Sequence, residues 1–235
     1  MPEVEPESGT GGGAKFDAYA DNYEQLNEKS QRASGEPPGY FAEYKLRCIE
    51  RLVGPDYDEP ILDYGCGVGS LTERLATRFS RTTGYDPSAD CVERARARVP
   101  ASTFYSDIGE IPDRHFGIVA VANVLHHVPP ADRPELIQLL MKKLQPGSGR
   151  LVVFEHNPLN PLTRRAVAAC EFDDDAILLG PRELPRLLRD NGATRVSRDF
   201  IVFFPRALAL LRWSEPYLSW LPLGAQMMVV GTAAE

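Results

Sequence analysis

The 235-residue sequence predicts an α/β domain in which a parallel sheet carries helices on both faces. Three observations point there. Short apolar runs alternate with amphipathic segments, a glycine-rich turn follows the first run, and an acid closes the second. Of the residues, 43% are hydrophobic and 25% charged, ordinary values that exclude collagen, coiled coil and wholesale disorder. The length suits one domain with a substantial core.

Taken in order, residues 1–14 (MPEVEPESGTGGGA) have almost nothing to bury and are expected to form a disordered tail. The domain is expected over 15–235, opening with a helical cap at 15–55. Within the cap, Phe16, Tyr19, Ala20 and Tyr23 recur at helical steps, and a second helix is expected over 40–52 after the GEPPG break. Apolar runs at 60–64 (PILDY), 82–85 (TTGY), 102–105 (STFY), 117–122 (GIVAVA) and 150–154 (RLVVF) read as strands, with helices at 71–79, 88–99 and 131–144 between them.

Beyond the fifth run the beat breaks. Residues 157–180 read as an insertion with a helix over 162–169 and three consecutive acids, Asp173, Asp174 and Asp175. A helix at 181–191 and strands at 193–204 and 226–231 follow. Residues 204–225 (FPRALALLRWSEPYLSWLPLGA) read as a helical cap that buries Trp213 and Trp220 against the domain, or as a lid; a membrane-surface patch is the weaker reading.

With 26 basic and 33 acidic residues the net charge is -7, which disfavours a nucleic-acid partner. Cys48, Cys66, Cys91 and Cys170 show no CxxC spacing, which argues against a zinc site or a disulfide framework and suits a reducing, cytoplasmic setting. No apolar run reaches the roughly 18 residues of a membrane span.

The most informative stretch is 61–70, ILDYGCGVGS, a strand running into alternate glycines and then a helix. Gly65, Gly67 and Gly69 let the backbone turn tightly and approach a ligand, while the next helix offers its N–H groups. Asp86, 23 positions after Asp63, ends the second strand where a carboxylate accepts from both hydroxyls of a ribose. A dinucleotide loop reads G-x-G-x-x-G, but Ser70 stands at the third glycine position counted from Gly65. The Asp63 carboxylate suits a cationic ligand and repels a pyrophosphate, which favours a sulfonium-bearing nucleoside over a nicotinamide cofactor.

DYGCGVGS, GYDPS, YSDIGEIP, ANVLHHV and LQPGSGRLVVFEH, in that order, resemble the class I S-adenosylmethionine-dependent methyltransferases of small-molecule type. The resemblance implies a Rossmann-like, doubly wound sheet of about seven strands with the last antiparallel, and S-adenosylmethionine as cofactor. It places Asp63, Gly65 and Gly67 at the methionine end, with Cys66 and Gly69 of the same loop also at the cofactor, Asp86 on the ribose, and Pro87 and Ser88 along the adenosine. Asp107 and Ile108 would meet the adenine, Asn123 and Val124 the sulfonium, and Tyr23 the methyl group from a covering helix. The implied acceptor is a small molecule offering oxygen or nitrogen, in a biosynthetic or secondary-metabolite pathway. The alternatives are a protein or RNA target, or a non-catalytic module that binds the cofactor.

Methyl transfer to oxygen or nitrogen also removes a proton, and histidine titrates in the useful range. His126 and His127 follow the fourth predicted strand and His156 the fifth, at the strand ends where open α/β sheets bind ligands. Adjacent side chains are expected to point apart, so at most one of His126 and His127 is expected to be catalytic. His115 is expected at the surface. Cys66 is expected to pack rather than react, and the unspaced acids at 173–175 predict no metal.

Overall fold

A computed structural model describes residues 35–170 and 173–235. The tail, the first cap helix with Tyr19 and Tyr23, and residues 171–172 lie outside the described residues. The described chain opens with α1 (Tyr40–Val53), then β1 (Ile61–Tyr64), α2 (Ser70–Ala76), β2 (Thr82–Tyr85), α3 (Ala89–Arg98) and β3 (Thr103–Tyr105). The second half holds β4 (Ile118–Ala122), α4 (Arg133–Lys143), β5 (Arg150–His156), α5 (Pro161–Ala168), α6 (Glu183–Asp190), β6 (Ser197–Ile201), α7 (Glu215–Leu218) and β7 (Gln226–Thr232).

The seven strands form one sheet in the order β3-β2-β1-β4-β5-β7-β6. All pairs are parallel except those of β7, which runs antiparallel between β5 and β6. Strand alternation divides the core into two faces. Leu62, Val119, Val121, Leu151, Val153, Met227 and Val229 pack with Ile137 and Leu140 of α4 and Leu184 and Leu188 of α6. Their neighbours Ile61, Ile118, Ala120, Val152, Phe154, Met228 and Val230 pack with Leu46 and Ile49 of α1 and Leu71 and Leu75 of α2.

Helix boundaries follow local chemistry. Ser88 caps α3 by accepting from Cys91 N at 3.1 Å. Asn160 caps α5 by accepting from Leu162 N at 2.9 Å and Thr163 N at 3.1 Å, with Pro161 as its first residue.

Two expectations need correction. The sixth strand is shorter than 193–204, since the turn at Val202 (φ 60°) takes the chain off the sheet. The 204–225 segment does not bury its tryptophans: it forms short 3-10 turns over Arg206–Ser214 and then α7, leaving Trp213 73% and Trp220 71% exposed. Polar groups anchor it instead. The Glu215 carboxylate is buried and accepts from Phe203 N, Phe204 N and the Tyr44 hydroxyl (3.1, 3.1 and 2.6 Å), while Arg212 donates to Phe204 O and pairs with Glu36.

Candidate active site

Sequential strands run outward from β1 to β3, and the chain then returns to build β4 and β5 on the other side. This reversal opens a crevice beyond the carboxyl ends of β1 and β4, the place where such sheets bind ligands. The turn after β1 is built from glycines in left-handed conformations. Gly65 has φ 76°, and a Cβ there would overlap the side chain of Val124 beyond β4, so the two turns close on each other only because position 65 is bare.

The acids flanking this turn are fixed differently. Asp86 accepts from Gly67 N at 2.8 Å through one oxygen and from Ser88 N at 3.0 Å through the other, which sets its orientation at the end of β2. Asp63 is almost wholly buried and accepts from the Thr72 hydroxyl at 2.7 Å. Burial pushes its pKa up to about 6 against the pull of that hydrogen bond. Lys45 of α1 is also buried; burial lowers its pKa to about 8, while Asp63 and Glu155 favour its charge. The sequence analysis missed Lys45. Its signal was the position three and four residues before Cys48 and Ile49, on the buried face of the helix.

The other expected residues spread around the same edge. Pro87 is exposed and Ser88 fully buried with its hydroxyl on the α3 cap. Asp107 is exposed and accepts from Gly109 N at 2.8 Å, and Ile108 packs against the core. Cys66 is buried against Val92, Ala95 and Phe104, a packing role, and burial raises its thiol pKa well above the usual range. Asn123 adopts φ 58°, and its buried Oδ1 has no hydrogen-bond partner among the described residues.

Beyond β4 the chain makes one 3-10 turn, Leu125–His127, and there the histidines gather. Successive side chains of a 3-10 turn are about 120° apart instead of opposed. His126 and His127 therefore do not diverge, as expected from a strand-like alternation; their rings lie 4.2 Å apart and their Nε2 atoms approach the same Asp173 oxygen, at 3.3 and 3.5 Å. Glu155 of β5 takes His126 Nδ1 at 2.6 Å and Leu125 N at 2.8 Å, while Asp175 lies 3.3 Å from His127 Nδ1. His156, the last residue of β5 and not beyond it, sits 5.2 Å from the His126 ring.

This cluster is electrostatically coupled. Burial opposes charge on His126, but Glu155 and Asp173 raise its pKa to about 9. Burial and the His126 charge lower His127, and the same causes lower His156 to about 4. Glu155 stays ionised despite its burial because His126 stabilises the carboxylate. His115 is exposed, as are Arg164 and Arg165 on α5.

Residues 61–147 match the family model described as "Methyltransferase domain". The trans-aconitate 2-methyltransferase of Deinococcus radiodurans is 30% identical over 199 residues, covering 74% of this chain and 76% of that protein.

The chain belongs to the S-adenosylmethionine-dependent methyltransferases.

The trans-aconitate 2-methyltransferase of Paracidovorax citrulli is 36% identical over 129 residues, half of this chain and 47% of that protein, so the methyltransferase spans only about half the length of this relative. In structure it resembles a SAM-dependent methyltransferase from Thermotoga maritima, described as a possible histamine N-methyltransferase, at a TM-score of 0.66 and 18% identity over 94% of this chain and 98% of that one. That likeness is one of fold. The crevice of the methyltransferase fits S-adenosylmethionine on its own chemistry: Asp63 is a buried carboxylate suited to an ammonium, Lys45 a buried cation suited to a carboxylate, and Asn123 Oδ1 a buried acceptor awaiting a donor.

Proposed function

We propose that this chain transfers a methyl group from S-adenosylmethionine to an oxygen or nitrogen of a small-molecule acceptor in a biosynthetic pathway. Bound S-adenosylmethionine supplies an electrophilic methyl on a sulfonium. The chain's own part is to hold the amino-acid end between Asp63 and Lys45, to hold the ribose at Asp86, and to place the acceptor beside the β4 turn. The observation that carries this reading is the imidazole and carboxylate cluster joined to the glycine turn through Val124 and Gly65. Of the candidates His126, His127 and His156, the lowered pKa values of His127 and His156 support them as acceptors of the proton, while the raised value of His126 suits a charged group that positions them. The relatives named for an acid acceptor, trans-aconitate, support a small polar substrate. A net charge of -7 supports it over a nucleic acid. Among the described residues no helix is long and apolar enough to cross a membrane, and none of the four cysteines is bridged; both suit a cytoplasmic enzyme.

Calorimetry with S-adenosylhomocysteine, followed by turnover against a panel of small carboxylic acids, phenols and amines, tests the proposal. Micromolar product binding and acceptor-dependent formation of S-adenosylhomocysteine are expected. His127→Ala should lower turnover by about 10²-fold or more and leave product affinity within about twofold. A folded protein that binds no S-adenosylhomocysteine would overturn the reading.

A further inference from the structure

The β4 turn and the 173–177 segment meet face to face. Ile177 N donates to His126 O at 2.8 Å and Asp173 N to Cys170 O at 3.0 Å, which seats the Asp173 carboxylate against both imidazoles. One donor atom from each of His126, His127 and Asp173 lies within 4.8 Å of the other two, and both Nε2 atoms approach one Asp173 oxygen, at 3.3 and 3.5 Å. Bonds of about 2.0–2.1 Å in a tetrahedron place neighbouring donor atoms about 3.3 Å apart, which the two contacts to Asp173 match.

The surrounding carboxylates suit ligands of this kind. Each ring has a carboxylate oxygen at both nitrogens: Glu155 and Asp173 for His126, Asp175 and Asp173 for His127. A neutral imidazole carries one N–H. With each Nδ1–H given to the outer carboxylate, a cation between the three groups displaces the Nε2 protons and takes the place of the Nε2···Oδ1 contacts. The outer carboxylates then complete the carboxylate–histidine–metal pattern that orients such ligands.

We propose that His126, His127 and Asp173 form a binding site for a divalent transition-metal cation of the zinc class. Two nitrogens and one carboxylate oxygen leave a fourth position open, as in catalytic sites. Asp173 and His127 are partly exposed, which gives the cation and a fourth ligand a way in. Resting on the function proposed above, that fourth ligand is an oxygen of the methyl acceptor, and His156, 5.2 Å from the His126 ring, is then the imidazole left to take its proton.

The full chain, stripped with a chelator and checked for folding by circular dichroism, is titrated with cobalt(II) by visible absorption and with zinc(II) by calorimetry. One equivalent is expected, with the intense absorption of tetrahedral cobalt. Asp173→Asn and His127→Gln should each weaken zinc binding at least about tenfold, and Glu155→Gln by about 10- to 100-fold through His126. Asp175→Asn, at the surface, keeps the test available if the buried variants fail to fold and should weaken binding severalfold. A folded wild type that takes up no cobalt overturns the proposal. So does unchanged zinc affinity in the folded variants, or a thiolate-to-cobalt band that places the metal on a cysteine. S-adenosylhomocysteine affinity measured on the same samples separates this failure from that of the proposed function.

Discussion

Asp63 and Lys45 are buried groups of opposite charge that act on each other, and each is held away from its usual pKa by the same desolvation, to about 6 and about 8. An ammonium ligand binds the ionised form of Asp63, so affinity should fall as pH drops through about 6. A carboxylate ligand binds the charged form of Lys45, so affinity should fall again as pH rises through about 8. Calorimetry with S-adenosylhomocysteine across this range should give a plateau between the two. Asp63→Asn should remove the acid limb and weaken binding at neutral pH by about tenfold, or 1.4 kcal/mol. The sign for stability is opposite: a carboxylate whose folded pKa lies above its unfolded value costs stability once ionised, so the unliganded Asp63→Asn protein should melt higher above about pH 6. A flat affinity profile in the wild type would remove both groups from the ligand site.

At the scale of elements, the chain announced its strands and helices through period and punctuation, and β1 to β5 with the helices between them stand within one to three residues of their expected places, the largest difference being the C-terminal end of α2 at Ala76 instead of 79. The glycine turn and Asp86 were readable because both lie on the local path from one strand into the next. The histidine cluster was not readable as a cluster. It depends on a single 3-10 turn that swings two neighbouring rings to one side, and on Asp173, 47 positions away from His126 in the chain. Lys45 was hidden for another reason: a lysine in an amphipathic helix is ordinarily solvated, and only the packing of α1 over β1 and β4 buries it. The contact between the two turns gives a test at this scale. Gly65→Ala should cost about 1–3 kcal/mol in a chemical melt and abolish measurable cofactor binding, because the new Cβ meets Val124 and the left-handed backbone is strained. Adding Val124→Ala should relieve the overlap but not the strain, so a full rescue would refute this account of the turn.

On the scale of the molecule, the two-faced core is complete, and the segment between β6 and β7 is laid over it by polar anchors with its apolar side chains outward. Leu210 is 91% exposed and Tyr217 74%, alongside the two tryptophans. Side chains so exposed contribute little to folding, so Trp213→Ser and Trp220→Ser should each shift stability by less than about 0.5 kcal/mol in denaturant melts while lowering the binding of an apolar dye. A larger loss would mean that these rings are covered in solution. The sequence suggested the opposite packing because a run rich in Trp and Leu ordinarily marks a buried element; nothing local in it revealed that Glu215 and Arg212 do the anchoring.

The four thiols offer a use that has nothing to do with chemistry at the crevice. Cys48 lies in α1, Cys66 in the glycine turn, Cys91 in α3 and Cys170 just past α5, and all four are buried. A small alkylating reagent can reach each one only when its own part of the structure opens. Timed alkylation followed by mass spectrometry therefore reads out four opening free energies from one unmodified chain, with Cys66 as the reporter whose protection should lengthen when the crevice is filled.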